Sequence, residues 1–194
     1  MKNHVDIETS RREYLALPSS EWRKDYFNET TGGYVATHIF KEKDNLNRPG
    51  IAAEVNACFE LAEMGKHILR LPENIPDLID SITINGKPYR DLLKFKPGES
   101  DPRGYPDAYF DGQTWDFKTS SFKNQDTFRH RIRDGRKADN VIFIINGEEN
   151  QKFIEKAVQR EVGMRKKDES WRELPDVFTL TLTPKKFVPA WKKR

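Results

Sequence analysis

Apolar residues recur along this chain first at helical and then at strand spacing. Ile51, Val55, Cys58, Leu61 and Ala62 fall three or four positions apart or adjacent, with Gly65 just beyond, so the spacing predicts a helix over Ile51–Met64. His67–Leu71 reads as a short apolar strand bounded by Pro72. Residues 74–103 form a long excursion with an Asn85-Gly86 turn, leading into a stretch rich in Pro, Gly, Ser and Asp. Asp111-Gly112 then separates two runs rich in aromatic and β-branched residues. That signals a hairpin, because both turn positions must tolerate positive φ. Asn124–Lys137 is a helix with Phe128 and Ile132 facing inward. Val141–Ile145 is an unbroken apolar run and a buried central strand. Gln151–Arg165 is a second amphipathic helix, and Val177–Leu182 alternates as a half-buried strand. The central series is αβββαβ, an α/β (α+β sandwich) fold whose mixed sheet is flanked by helices.

The ends carry weaker patterns. Glu8–Leu15 and Ser20–Phe27 read as two short helical pieces broken at Leu17-Pro18, and Tyr34–Phe40 as an extended segment. Residues 1–48 are therefore expected to be an accessory N-terminal helical segment, 49–184 the main domain with an extra C-terminal helix and strand, and 185–194 a partly ordered basic tail.

Composition narrows the class. A length of 194 residues supports one domain with a true core, and 12 Phe, 6 Tyr and 4 Trp supply bulk for it. Cys58 is the single cysteine, so no internal disulfide framework exists, and its place in the apolar stripe makes it a small buried hydrophobe. The first residues lack the apolar core of a signal peptide, and no apolar run approaches the roughly 20 residues of a membrane span. A cytoplasmic, membrane-free setting is expected. Charge is unevenly divided: residues 118–194 carry 19 Lys and Arg against 11 Asp and Glu, whereas residues 1–117 carry 15 against 20. A basic half suits either a polyanion partner or a solvated surface.

Candidate chemistry lies in the hairpin. With Asp111-Gly112 as a two-residue turn, Asp107 falls opposite Asp116, and Lys118 shares a strand face with Asp116. Like charges directly across a strand pair are destabilising unless a cation sits between them. The competing reading is a surface salt-bridge cluster, with Lys118 neutralising the acids. Glu54 lies on or beside the apolar stripe of its helix, where a carboxylate needs a metal, a lysine or a backbone donor. Alternatively, it is a first-turn residue favoured by the helix dipole.

Glu54, Pro106-Asp107 and Asp116-Phe117-Lys118, in αβββαβ order, resemble the PD-(D/E)xK nuclease superfamily. More narrowly, residues 50–146 resemble the CdiA-type C-terminal tRNase domain of contact-dependent growth inhibition toxins. That likeness is carried by Glu54 with Leu61-Ala62-Glu63-Met64-Gly65, by Pro106-Asp107-Ala108, by Asp116-Phe117-Lys118-Thr119 and by Arg136-Lys137-Ala138-Asp139-Asn140-Val141. The resemblance implies a metal-dependent endonuclease acting on nucleic acid, RNA (tRNA among its candidates) ahead of DNA. It implies a toxin or mobile-element role, with a cognate immunity or inhibitor protein as a further partner; a delivered toxin would act in the target-cell cytoplasm. Asp107, Asp116 and Glu54 would hold Mg²⁺ or Mn²⁺, and Lys118 would orient the attacking water or stabilise charge on the phosphate. Thr119, Ser120, Arg129, Arg133 and Lys137 would contact substrate phosphates. The alternative is a catalytically inactive nucleic-acid-binding or phage- and particle-associated module on the same fold.

Overall fold

A computed structural model describes residues 6–41, 46–96, 98–119, 125–145, 148–167, 169–182 and 185–193. In chain order the elements are α1 (Ile7–Ala16), β1 (Trp22–Phe27), β2 (Tyr34–His38), α2 (Pro49–Glu63) and β3 (His67–Arg70), then the short hairpin β4 (Thr83–Ile84) and β5 (Lys87–Pro88). Next come α3 (Tyr89–Leu92), β6 (Ala108–Phe110), β7 (Gln113–Thr119), α4 (Gln125–Asp134), β8 (Asn140–Ile145), α5 (Glu148–Met164), β9 (Asp176–Leu182) and β10 (Lys185–Trp191). Eight strands form one mixed sheet in the order β1-β2-β3-β6-β7-β8-β9-β10, with helices on both faces. The stretch from α2 to β8 contains the αβββαβ series expected from the sequence.

Both ends depart from expectation. Trp22–Phe27 is a strand, not a helix, and pairs antiparallel with β2, which itself lies parallel to β3. The N-terminal segment thus supplies two strands of the sheet. Trp22 is buried against His38, with its ring edge-on to the imidazole, a tertiary contact that overrides the local pattern. The expected basic tail is also a strand: β10 pairs antiparallel with β9, and its register shifts between Pro189 and Trp191. Proline is tolerated there because an edge strand does not need every N–H.

α2 positions the site from one face of the sheet. Pro49 opens it, as suits a first-turn residue whose N–H would have no partner. Gly65, at φ 83°, closes it. The Gly65 N–H reaches the Ala62 carbonyl and the Lys66 N–H reaches that of Leu61, a Schellman stop that turns the chain directly into β3. Ala57, Cys58, Leu61 and Ala62 pack over Ile68, Ala108, Phe110, Trp115 and Phe117. Cys58 is fully buried, which pushes its thiol up to about 12.

The opposite face is covered in two halves. Over β2, β3 and β6, Ile79, Ile82, Ile84, Tyr89 and Leu92 of the 74–103 excursion pack with Tyr14 of α1 and with Leu69 and Tyr109. Over β8 and β9, Phe128 and Ile132 of α4 pack with Ile154, Ala157 and Val158 of α5. Between the halves runs β7. Its residues Trp115 and Phe117 belong to the core on the α2 side, so Thr114, Asp116 and Lys118 alternate to the other side. They join neither apolar cluster there. A polar seam therefore crosses the middle of the sheet.

Candidate active site

The hairpin forms in the expected register: Ala108 opposite Trp115, Tyr109 opposite Thr114, Phe110 opposite Gln113. Asp111 and Gly112 have φ of 51° and 77°, the two positive values of a type I′ turn. β6 begins at Ala108, so Asp116–Thr119 of β7 continue past the last strand pair on that side. Asp107 fills the resulting notch. Its N–H donates to the Trp115 carbonyl, and its Oδ2 accepts from the Phe117 N–H at 2.6 Å.

A cavity of about 340 Å³ opens in the notch, lined among others by Glu54, Asp107, Asp116, Lys118, Thr119 and Lys137. All four residues of the expected catalytic set therefore face one space. Glu54 enters from α2 and is held by Arg70 at 3.2 Å and Lys41 at 3.5 Å. Lys41 also pairs with Glu73. Lys118 lies 2.6 Å from Asp116 Oδ2. Lys137 spans the two aspartates, at 2.9 Å from Asp116 and 3.2 Å from Asp107. The like charges anticipated across the hairpin are thus separated by a cation, and in this structure that cation is an ammonium group of the chain itself.

The three carboxyl groups differ in electrostatics. Burial raises the pKa of Asp107, but Lys137, the Phe117 N–H, Asp116 and Lys41 outweigh it and hold the group below its ordinary value. Asp116 is fully buried; burial and then the Asp107 charge push it up to about 7, against the pull of Lys137 and Lys118. Glu54 is also raised, by burial first and Asp107 second, with Lys41 and Arg70 opposing. Asp107 and Asp116 share one proton equilibrium: the more firmly one is ionised, the harder it is to ionise the other. Both oxygens of Asp116 are buried without a directed hydrogen bond among the described residues, despite the nearby ammonium groups.

Among the described residues, no group of three His, Cys, Asp or Glu side chains is arranged as a ready metal cage. The donor set nevertheless suits a hard cation. Its carboxylates supply the oxygen ligands that such an ion takes, and the two buried oxygens of Asp116 are met by the ammonium groups of Lys118 and Lys137 at angles poor for hydrogen bonds.

The expected substrate contacts separate. Thr119 and Lys137 line the acidic cavity, and Arg133 lines a second pocket that shares Lys137. Arg129 is committed elsewhere: its Nε donates to Glu161 at 2.9 Å and its Nη1 to Asp126 at 2.8 Å. Ser120 lies outside the described residues. Sequence reasoning did not find Lys41, Arg70 or Arg131, which border or support the site. Arg70 left a usable signal, being a charged residue inside an apolar strand run. Lys41 left none.

Comparison of the chain with protein-family models, with curated proteins and with solved structures finds no match. No helix among the described residues is long and apolar enough to cross a membrane.

Proposed function

We propose that this chain is a metal-dependent nuclease that hydrolyses phosphodiester bonds, with RNA ahead of DNA as substrate. One observation carries the reading: Glu54, Asp107, Asp116 and Lys118, brought from a helix and a hairpin, line a single cavity. The preference for RNA rests on the resemblance to toxin tRNase domains, as does a cognate inhibitor protein as partner.

In this reading Asp107, Asp116 and Glu54 hold Mg²⁺ or Mn²⁺. Bound there, the ion would neutralise phosphate charge and lower the pKa of a coordinated water. The chain's own residues do the rest. Lys118 projects from β7 beside Asp116 and stabilises charge developing on the transferred phosphate, an interaction worth most in the transition state. Phe117 and the apolar face under α2 exclude water from one wall. Lys41 and Arg70 fix the Glu54 carboxylate. Arg129 is not included among the substrate contacts, because its guanidinium serves Glu161.

A second reading has its own observation. Lys137 already compensates Asp107 and Asp116, as it would in an inactive nucleic-acid-binding module that had kept the fold. Incubating the purified protein with total RNA and with plasmid DNA, in Mg²⁺ or in chelator, separates the two. Mg²⁺-dependent cleavage that is lost in Asp116→Asn is expected; binding without cleavage under all conditions would establish the second reading.

A further inference from the structure

A basic pocket shares a wall with the acidic cavity. Lys96, Arg103, Arg133, Asp134, Arg136 and Lys137 line a space of about 230 Å³, and Lys137 lines the acidic cavity as well. Five of these six side chains are cationic, and they come from separate parts of the chain. Lys96 and Arg103 belong to the loop ahead of β6, pinned by the Phe95–Pro102 bridge and by the bond from the Arg103 N–H to the Lys94 carbonyl. Arg133 lies in the last turn of α4, and Arg136 and Lys137 lie on the helical turn that follows.

Lys137 is answered by Asp107 and Asp116, and the arginines of the pocket share their acids. One carboxylate, Glu173, serves two guanidinium groups, Arg103 at 3.1 Å and Arg136 at 3.4 Å. Lys96 pairs with Glu99. Arg133 lies 3.7 Å from Glu161, which is more closely engaged by Arg129 and Arg165. The Nε atoms of Arg103 and Arg133 are buried and have no hydrogen-bond partner among the described residues. Arg136 is crowded by like charge: burial first, then Arg103, Arg165 and Arg133, depress its pKa. Guanidinium groups offer fixed forks of donors that match phosphate oxygens, and a space of this size suits one tetrahedral oxyanion with a few waters.

We propose that this pocket binds the backbone phosphate adjacent to the one cleaved, with Lys137 as the shared post between the two positions. The inference rests on the nuclease reading for the word "adjacent" and on the pocket's own chemistry for the word "phosphate". Substrate would run from the notch beside β7 across Lys137 to Arg103 and Arg136. That path runs past the loop ahead of β6 and the end of α4.

The test uses the whole chain and a short single-stranded oligoribonucleotide in chelator, so that binding is read without cleavage. Arg103→Ala with Arg136→Ala is expected to weaken binding about tenfold and to lower the salt slope by about one to two, as expected for lost phosphate contacts. Glu173→Gln frees both guanidinium groups and is expected to tighten binding about threefold. That sign is the reverse of what a merely structural ion pair would give, and it keeps the proposal falsifiable if the double variant fails to fold. In Mg²⁺, one neutral methylphosphonate linkage next to the cleaved bond is expected to slow the wild type about tenfold and leave the double variant indifferent. Binding indifferent to Arg103, Arg136 and Glu173 overturns the pocket, whatever cleavage does. An equal methylphosphonate penalty in both proteins overturns its adjacency. Binding that depends on the pocket, with no cleavage by the wild type in any metal, overturns the nuclease reading and adjacency but not the phosphate site.

Discussion

Two buried carboxylates in this protein are surrounded by cations and behave in opposite ways. Glu161 on α5 is 1 % exposed and is met by Arg129 at 2.9 Å and Arg165 at 2.7 Å, both through directed hydrogen bonds. Burial would raise its pKa, but Arg165 and Arg129 outweigh that and hold it low. Asp116 has two ammonium groups within 3 Å, yet neither of its oxygens has a directed hydrogen bond and a second carboxylate faces it. Its pKa stands at about 7. Counting nearby positive charge does not separate the two sites. Geometry and the neighbouring acid do: one well-aligned guanidinium N–H reaches each oxygen of Glu161 and ties α4 to α5, whereas Asp116 meets its ammonium groups at poor angles and faces Asp107.

The sharpest way to break the comparison is catalytic. Asp116→Asn is expected to lower Mg²⁺-dependent cleavage by about 10²–10³-fold, since it removes a charged ligand used in the transition state. Glu161→Gln, assayed well below its melting point, should stay within about twofold of wild type. Equal losses in the two variants, measured at saturating substrate, would mean that Asp116 is structural as well.

Stability should show the reverse order. Glu161→Ala leaves Arg129, Arg133 and Arg165 facing one another without their acid and is expected to cost about 2–4 kcal/mol in urea titrations. Asp116→Asn should be neutral or stabilising in metal-free buffer, because it removes repulsion with Asp107. A larger loss in Asp116→Asn than in Glu161→Ala contradicts the contrast.

Titration sharpens it further. Asp116 moves from the ordinary 3.8 to about 7 on folding. Between those values the folded chain holds more protons than the unfolded one, so this group's contribution to stability falls as pH rises through the window. Glu161 is depressed on folding; its contribution is present above its ordinary value and is lost as pH falls through the folded one. In chelator, the wild type minus Asp116→Asn difference should therefore decline from about pH 4 to about pH 7 and then level off. The difference for Glu161→Gln should decline only toward acid. A flat Asp116 difference would show that Lys137 and Lys118 have removed the penalty imposed by burial and Asp107.

The smallest effect concerns Arg129. Arg129→Ala should cost about 1–2 kcal/mol through the Glu161 cluster and leave oligonucleotide affinity within about twofold. A loss of affinity matching that of the Arg103 and Arg136 variant would return Arg129 to the substrate path.

The hairpin from Ala108 to Trp115 was legible in the sequence because its information is local: turn chemistry fixes the register, and Asp107 and Asp116 follow just past the last pair, bridged by Lys137. The helix carrying Glu54 was legible from periodicity and Gly65. The partners of Glu54 were not, since Lys41 and Arg70 reach it through a parallel strand pairing that no local pattern encodes. β1 and β10 were hidden because each depends on an antiparallel neighbour rather than on its own pattern. Trp22-Arg23-Lys24-Asp25-Tyr26-Phe27 becomes a strand only by pairing with β2, and Pro189 reads as a breaker until β9 lies beside it. The exposed-looking arginine face of α4 misled for a related reason: α5 supplies a buried acid beneath it.

The strand formed by Lys185–Trp191 also bears on how the molecule meets copies of itself. An open sheet edge is a template on which another chain can add a strand, and a protein rich in aromatic strand residues is exposed to that hazard. Here the edge presents Lys185 and Lys186 at its start, a proline that donates no N–H, and a register break beyond it. A second molecule laid along it meets a missing donor and then a kink. Growth from copy to copy is opposed at that edge by two devices, so the protein should tolerate high concentration without forming filaments through β10.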